Sequence, residues 1–184
     1  MERVGMWVRP LSLVAALLLI VGVTLTGLNL LLGGWTVYAA GHVLAIAASV
    51  AVGAANRQRM DAWTWLGLLV FVVGLLLALP QIATIWQTYA SGGGLVPVAG
   101  QQMELPVWTA PFGLTAELVT WVGAAFFGLA ARGNHVLPRG VGWLLVATAV
   151  IGLIAALYIV SPYAWVAAVL LVGLSLLAIG VSRR

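Results

Sequence analysis

The chain has 184 residues, of which 64% are apolar and only 7% are charged. Soluble domains carry about 45–50% apolar and about 25% charged residues, so eight arginines and four carboxylates cannot cover a water-facing surface here. This composition excludes a soluble globular enzyme, and a mean hydropathy of +1.15 excludes a disordered chain. We therefore predict an all-α integral membrane protein.

The residue types that the sequence lacks exclude several chemistries. Without cysteine there are no disulfides, thiolate metal sites or iron–sulfur ligands. Without lysine there is no Schiff base to retinal or to pyridoxal phosphate. His42 and His135 are too few for a bis-histidine haem, and the four carboxylates show no metal-ligand spacing. We therefore expect neither a cofactor nor a metal.

Six apolar runs are long enough to cross a membrane, which takes about 20 residues. The predicted spans are residues 7–32, 35–55, 62–86, 107–131, 140–160 and 163–181. The first break is placed at Gly33-Gly34, and the longest link is the Gly/Pro-rich segment 87–106. The sequence thus predicts a single domain, residues 1–184, that forms a six-helix transmembrane bundle.

The arginines predict the orientation of this bundle. With six spans both termini lie on one side, and that side receives all eight arginines: Arg3, Arg9, Arg57, Arg59, Arg132, Arg139, Arg183 and Arg184. Basic residues favour the cytoplasmic side, so we expect both termini in the cytoplasm and a multi-pass protein of the inner or plasma membrane. We interpret the pI near 10.4 as this topology signal and not as a nucleic-acid site. Tryptophans concentrate at the predicted span ends, as membrane interfaces favour.

Glu117 is the most informative polar residue. It lies about 15 Å into the fourth span at 1.5 Å per residue, near the middle of a hydrocarbon core about 30 Å thick. An ionisable group there is a functional-site hypothesis by default. The alternative is a neutral Glu117 that donates a hydrogen bond to a neighbouring helix. Trp121 lies one turn further on the same face, either as the floor of a pocket or as a packing residue.

Further polar side chains lie in the predicted outer halves of the spans. His42 lies roughly 10 Å inside the second span, where it could pair with Glu117, shuttle a proton, contact a substrate or satisfy itself locally. Asn29, Gln81 and Thr84 come from the first and third spans. Together these residues predict a cavity that opens to the outside and is closed toward the cytoplasm. The 87–106 segment is either a lid over that cavity or an ordinary loop.

Small residues recur every four positions along three spans, which places them on one helix face. The stripes are Gly41, Ala45, Ser49 and Gly53; Thr120, Ala124 and Gly128; and Thr148, Gly152 and Ala156. Small residues let membrane helices approach closely. The stripes therefore serve either packing within the chain or contact with a partner subunit.

The spans can also be grouped into three hairpins whose even members end near arginine, as in Gly53 to Arg57, Gly128 to Arg132 and Gly180 to Arg184. In this respect and in length the chain resembles the small six-span acid-resistance membrane proteins. Its size and orientation are similar to those of the substrate-capturing subunits of vitamin-uptake transporters. Both resemblances concern architecture alone, so we assign no family.

Two functions from different classes remain open at this point. The first is an outward-facing binding or transport component for a small solute or proton, with Glu117 at its centre and His42, Gln81, Asn29, Thr84 and Trp121 around it. The second is a structural or accessory subunit of a larger membrane complex, with the same polar groups bonding helix to helix. An intramembrane enzyme is least favoured, because no nucleophile–base or metal constellation is present. The partners we expect are the lipid bilayer and either further copies of the chain or other membrane subunits.

Overall fold

The computed structural model describes residues 2–28, 30–91, 109–158 and 162–182. Within these ranges the chain is all-helical, as the apolar runs predicted. The six helices are α1 Glu2–Gly27, α2 Leu31–Asn56, α3 Ala62–Ala90, α4 Thr109–Gly133, α5 Arg139–Tyr158 and α6 Pro162–Ser182.

Five of these helices, α1 to α5, are long and apolar enough to cross a membrane. The described apolar part of α6, Val166–Val181, is shorter. Large apolar side chains also cover the outside of the bundle, where Leu69 is 60% exposed and Val150 is 52% exposed. A helix that is apolar on its outer as well as its inner face is typical of a membrane span. The fold is therefore that of a membrane-embedded helical protein.

The turn between α1 and α2 corrects one predicted boundary. It lies before Leu31, and Gly33 and Gly34 are inside α2 instead of ending the first span. A Cβ atom added to Gly34 would lie 2.6 Å from the backbone nitrogen of Thr26. Gly34 thus lets α2 pack closely on the end of α1, which explains why a turn-like composition occurs within a helix.

The helices form a closed ring in chain order. Each helix packs on the next one along the chain, and α6 packs back on α1. The α1–α2 and α3–α4 pairs make the most extensive contacts, whereas α2 and α3 contact each other least. The first two predicted hairpins are thus the most closely packed pairs.

Glycines set the close approach within both of these pairs. A Cβ atom on Gly41 would lie 2.7 Å from the Leu19 nitrogen in α1, and one on Gly67 would lie 2.6 Å from the Phe127 nitrogen in α4. Such positions exclude any side chain, so the backbones can approach closely. Dispersion contacts between backbones hold membrane helices together where the hydrophobic effect cannot.

The three small-residue stripes are buried within the bundle. All members of the α2 stripe, Gly41 to Gly53, are buried. The α4 and α5 stripes are buried as well, with Ala124 and Thr148 fully inaccessible. Of the two interpretations, packing within the chain accounts for all three stripes.

A polar network connects two links at the arginine-bearing end. Asp61 caps the N-terminus of α3, where its Oδ1 accepts hydrogen bonds from the Thr64 hydroxyl at 2.6 Å and from the Thr64 N–H at 2.8 Å. Asn134, from the α4–α5 link, donates its Nδ2–H to Thr64 Oγ1 at 2.9 Å. Hydrogen bonds to the Asp61 carboxyl hold its pKa below the usual value. The bonds from Thr64 have the largest effect, and a bond from Asn134 has a smaller one.

The α4–α5 link ends α4 through a left-handed residue. His135 has a φ of 53°, and the N–H of Val136 donates to the Ala131 carbonyl at 2.9 Å. This six-to-one bond, with the buried side chains of Val136 and Ala131 in the matching positions, is a Schellman cap. Glycine is the usual residue at the left-handed position, so His135 occupies it at a cost in backbone energy.

Candidate functional site

A cavity of about 600 Å³ lies among α1, α2, α3, α4 and α6. Its walls are mainly aliphatic and aromatic. The polar side chains that line it are Tyr38, His42, Gln81, Glu117 and Thr120. A volume of this size suits a small organic molecule, and a largely apolar wall with a few polar groups is typical of ligand sites.

The cavity lies in the half of the ring that holds no arginine. Its residues come from the N-terminal halves of α2 and α4 and from the C-terminal half of α3. The arginines lie near the opposite ends of these helices. On α2 the lining positions are 35, 38, 42 and 45, a spacing that places them on one helix face.

Glu117 is half-buried in the cavity wall. Its carboxyl group has no hydrogen-bond or ion-pair partner in the part of the chain that the structure describes. The hydrogen bond to a neighbouring helix, which the alternative interpretation of Glu117 requires, is therefore absent from those residues. A carboxyl group in an apolar cavity without a partner is costly in free energy and available to a ligand.

His42 lines the same cavity but does not bond to Glu117. Its side chain is 5% exposed, and Nε2 lies 2.8 Å from the backbone carbonyl oxygen of Leu75 in α3. Because a carbonyl oxygen only accepts, the proton must be on Nε2. His42 is thus bonded to the backbone of a neighbouring helix through Nε2. Its other ring nitrogen, Nδ1, could contact a second group.

Aromatic rings form a large part of the cavity wall. Trp35 and Tyr38 meet edge to face with centroids 5.4 Å apart, and the Tyr38 and His42 rings follow at 5.8 Å. Trp121 of α4 also lines the cavity and rests on Gly152 of α5, where an added Cβ atom would overlap the indole ring. Trp121 therefore both packs and lines the cavity.

The buried indole nitrogen of Trp121 has no acceptor among the described residues. An indole N–H usually finds a partner when it is buried. Like Glu117, this group leaves hydrogen-bonding capacity unused beside the cavity.

The structure brings together four of the six residues singled out from the sequence, namely His42, Gln81, Glu117 and Trp121. Thr84 is not among the lining residues, and its hydroxyl donates to the Pro80 carbonyl of its own helix at 2.9 Å. Asn29 lies outside the described residues. Most of the 87–106 segment also lies outside them, so the prediction that this segment is a lid stays a prediction.

Three further lining residues, Trp35, Tyr38 and Thr120, are not among the predicted site residues. Trp35 lies at a predicted span end, where interfacial tryptophans are common, and Thr120 belongs to a small-residue stripe. Their spacing contained the signal that was needed, because Trp35 lies seven residues before His42 and Thr120 three residues after Glu117.

No group of three metal-ligating side chains occurs within residues 2–91 and 109–182 as far as they are described. No protein-family model, curated protein or solved structure matches the chain. The cavity is therefore the feature of this protein that bears on its function.

Proposed function

We propose that this protein is an outward-facing binding or transport component of a membrane, with a site for a small solute or a proton. The observation that carries the proposal is the cavity that joins Glu117, His42, Gln81 and Trp121. These residues come from three helices, α2, α3 and α4, and line one space of about 600 Å³ although they are far apart in the sequence. Protein interiors are otherwise close-packed, so a space of this size is unusual for a chain that only packs.

The bonding of Glu117 supports binding over the accessory-subunit alternative. An acid that served to hold helices together would bond to a neighbouring helix, and Glu117 has no such bond among the residues described. The hydroxyls of Ser49, Thr148 and Ser175, by contrast, donate to carbonyls of their own helices. Glu117 is thus available for a ligand in a way that these groups are not.

The orientation is part of the proposal. Six spans with both termini in the cytoplasm would direct the arginine-free half, and the cavity in it, to the outside of an inner or plasma membrane. We also propose that the protein acts as a homo-oligomer or with other membrane subunits, since a ring of six helices makes a small transporter. Because the three small-residue stripes are buried, such an interface would use other, lipid-facing residues.

A labelling experiment tests whether the cavity opens to water on the outside. The cysteine-free chain allows single cysteines to be introduced at Ala78, which lines the cavity, and at Leu76, which is 47% exposed on the outer surface of α3. A membrane-impermeant thiol reagent is added to intact cells. We expect Ala78→Cys to react at least about tenfold faster, because thiols ionise and react in water but not in lipid.

Leu76→Cys is the matched control, since it lies two residues away at nearly the same depth. Equal rates for the two variants would contradict a water-accessible cavity, and with it the proposed function. Faster reaction of Ala78→Cys only in inside-out vesicles would contradict the orientation while keeping the site.

A further inference from the structure

The cavity wall contains one acid, Glu117, and no arginine or lysine. The chain has no lysine, and in the sequence its eight arginines all lie at or near the opposite ends of the predicted spans. Residues 29, 92–108 and 159–161, which the structure does not describe, contain neither arginine nor lysine in the sequence. An ionised Glu117 therefore has no arginine or lysine of this chain as a counter-ion.

His42 is the one basic side chain on the cavity wall, and its Nε2–H donates to the Leu75 carbonyl. No hydrogen bond or ion pair joins it to Glu117 in the described chain. An ionised Glu117 would thus leave one uncompensated negative charge on the wall, which disfavours an anionic occupant. An opposite charge brought in by a ligand would supply what the protein lacks.

The remaining wall is suited to a cation with an apolar body. Trp35, Tyr38 and Trp121 present aromatic rings, whose faces attract positive charge. The aliphatic residues of α3 and α6 line the rest of the cavity, including Leu75, Ile82 and Val172. An inorganic ion would find too few oxygen ligands here, since no acidic cluster is present among the described residues.

We infer that the cavity binds a lipophilic organic monocation, such as an amine or a quaternary ammonium compound, with Glu117 as its counter-ion and the rings of Trp35, Tyr38 and Trp121 around it. This inference rests on the proposed function and specifies the chemical class of its solute. The charged group pairs with the carboxylate, and the apolar body contacts the aromatic and aliphatic walls.

The test is isothermal titration of the full-length, detergent-solubilised protein with three probes of similar size. Benzyltrimethylammonium is the cation, 3-phenylpropanol the neutral compound and 3-phenylpropionate the anion. We expect the cation to bind at least about tenfold more tightly than the alcohol, and the anion not to bind. Glu117→Gln should remove the preference for the cation over the alcohol.

A second pair of variants keeps the test informative if Glu117→Gln fails to fold. Trp35→Leu removes an aromatic face without changing charge, and Trp35→Phe retains a ring. We expect weaker cation binding in the leucine variant and recovery in the phenylalanine variant. Equal cation affinity in the two variants would contradict the aromatic contribution.

The outcomes separate the two proposals. If the alcohol binds as tightly as the cation, or if none of the probes binds, while Ala78→Cys still reacts from outside, the cation inference is wrong and the open cavity stands. If Ala78→Cys reacts no faster than Leu76→Cys, both the proposed function and the cation inference are wrong.

Discussion

The Nε2–H of His42 donates to the backbone carbonyl of Leu75 at 2.8 Å, joining α2 to α3 on the wall of the cavity. The bond spans 33 residues and lies between the two neighbouring helices that contact each other least. At the arginine-free end of the same interface, Trp86 donates its Nε1–H to Thr36 Oγ1 at 2.9 Å. Two side-chain bonds thus hold together the pair that packing holds least.

Replacing His42 by leucine should weaken this interface. The variant loses a buried donor, and we expect a loss of about 1 kcal/mol in the free energy of unfolding. His42→Gln keeps an N–H donor and should retain most of the stability. Thermal unfolding of the purified proteins measures both. Equal stability of the leucine and glutamine variants would show that the bond to Leu75 contributes nothing.

Gly152 should not tolerate a methyl group. An alanine Cβ at this position would overlap the indole ring of Trp121, so the ring or the helix must shift. We expect Gly152→Ala to cost about 1–3 kcal/mol and to change the cavity wall. Gly140→Ala in the same helix meets nothing within 4 Å and should stabilise slightly, by at most about 1 kcal/mol. The comparison needs only thermal unfolding, and similar effects at the two sites would contradict the packing described for Trp121.

The Asp61 cap predicts a pH dependence of stability. Hydrogen bonds from Thr64 lower the pKa of the Asp61 carboxyl in the folded protein. The resulting stabilisation is fully present above the unfolded-state pKa of about 3.9 and is lost as the pH falls through the lower folded-state value. Asp61→Asn preserves a capping side chain but cannot titrate. We therefore expect the unfolding temperature of the wild type to approach that of Asp61→Asn below about pH 4, and a constant difference across this range would be the contrary result.

His135 should be improved by glycine. Its φ of 53° is a conformation that glycine adopts without a steric penalty, whereas a β-branched residue is strained there. We expect His135→Gly to gain about 0.5–1 kcal/mol, His135→Asn to be nearly neutral and His135→Val to be destabilised. Chemical or thermal unfolding would establish this order. A valine variant as stable as the glycine variant would argue against the left-handed cap.

The cavity residues could be identified from the sequence where their chemistry is costly in lipid. Glu117, His42 and Gln81 stand out because apolar runs rarely contain such groups. The position of Thr84 could not be predicted in this way, because a hydroxyl group can donate a hydrogen bond to a carbonyl of its own helix. Thr84 does so with the Pro80 carbonyl. Whether a polar residue faces a cavity or its own backbone depends on tertiary contacts that spacing alone does not contain.

The helix boundaries show a similar limit. The apolar runs predicted six helices, but Gly33-Gly34 suggested a turn where α2 is helical. Glycine serves both turns and close helix contacts, and only the neighbouring helix decides between them. The stripe from Gly41 to Gly53 was equally ambiguous until burial assigned it to packing within the chain.

The closed ring has a consequence for the order in which the molecule is made. Neighbours in the ring are neighbours along the chain, so each new helix can dock on its predecessor during synthesis. Only the seam between α1 and α6, where Gly173 meets Ile20, must wait until α6 has been inserted. Val169 and Val172 of α6 complete the cavity wall. A nascent protein still lacking that helix would have a cavity open on one side, and the wall would close only once α6 is inserted.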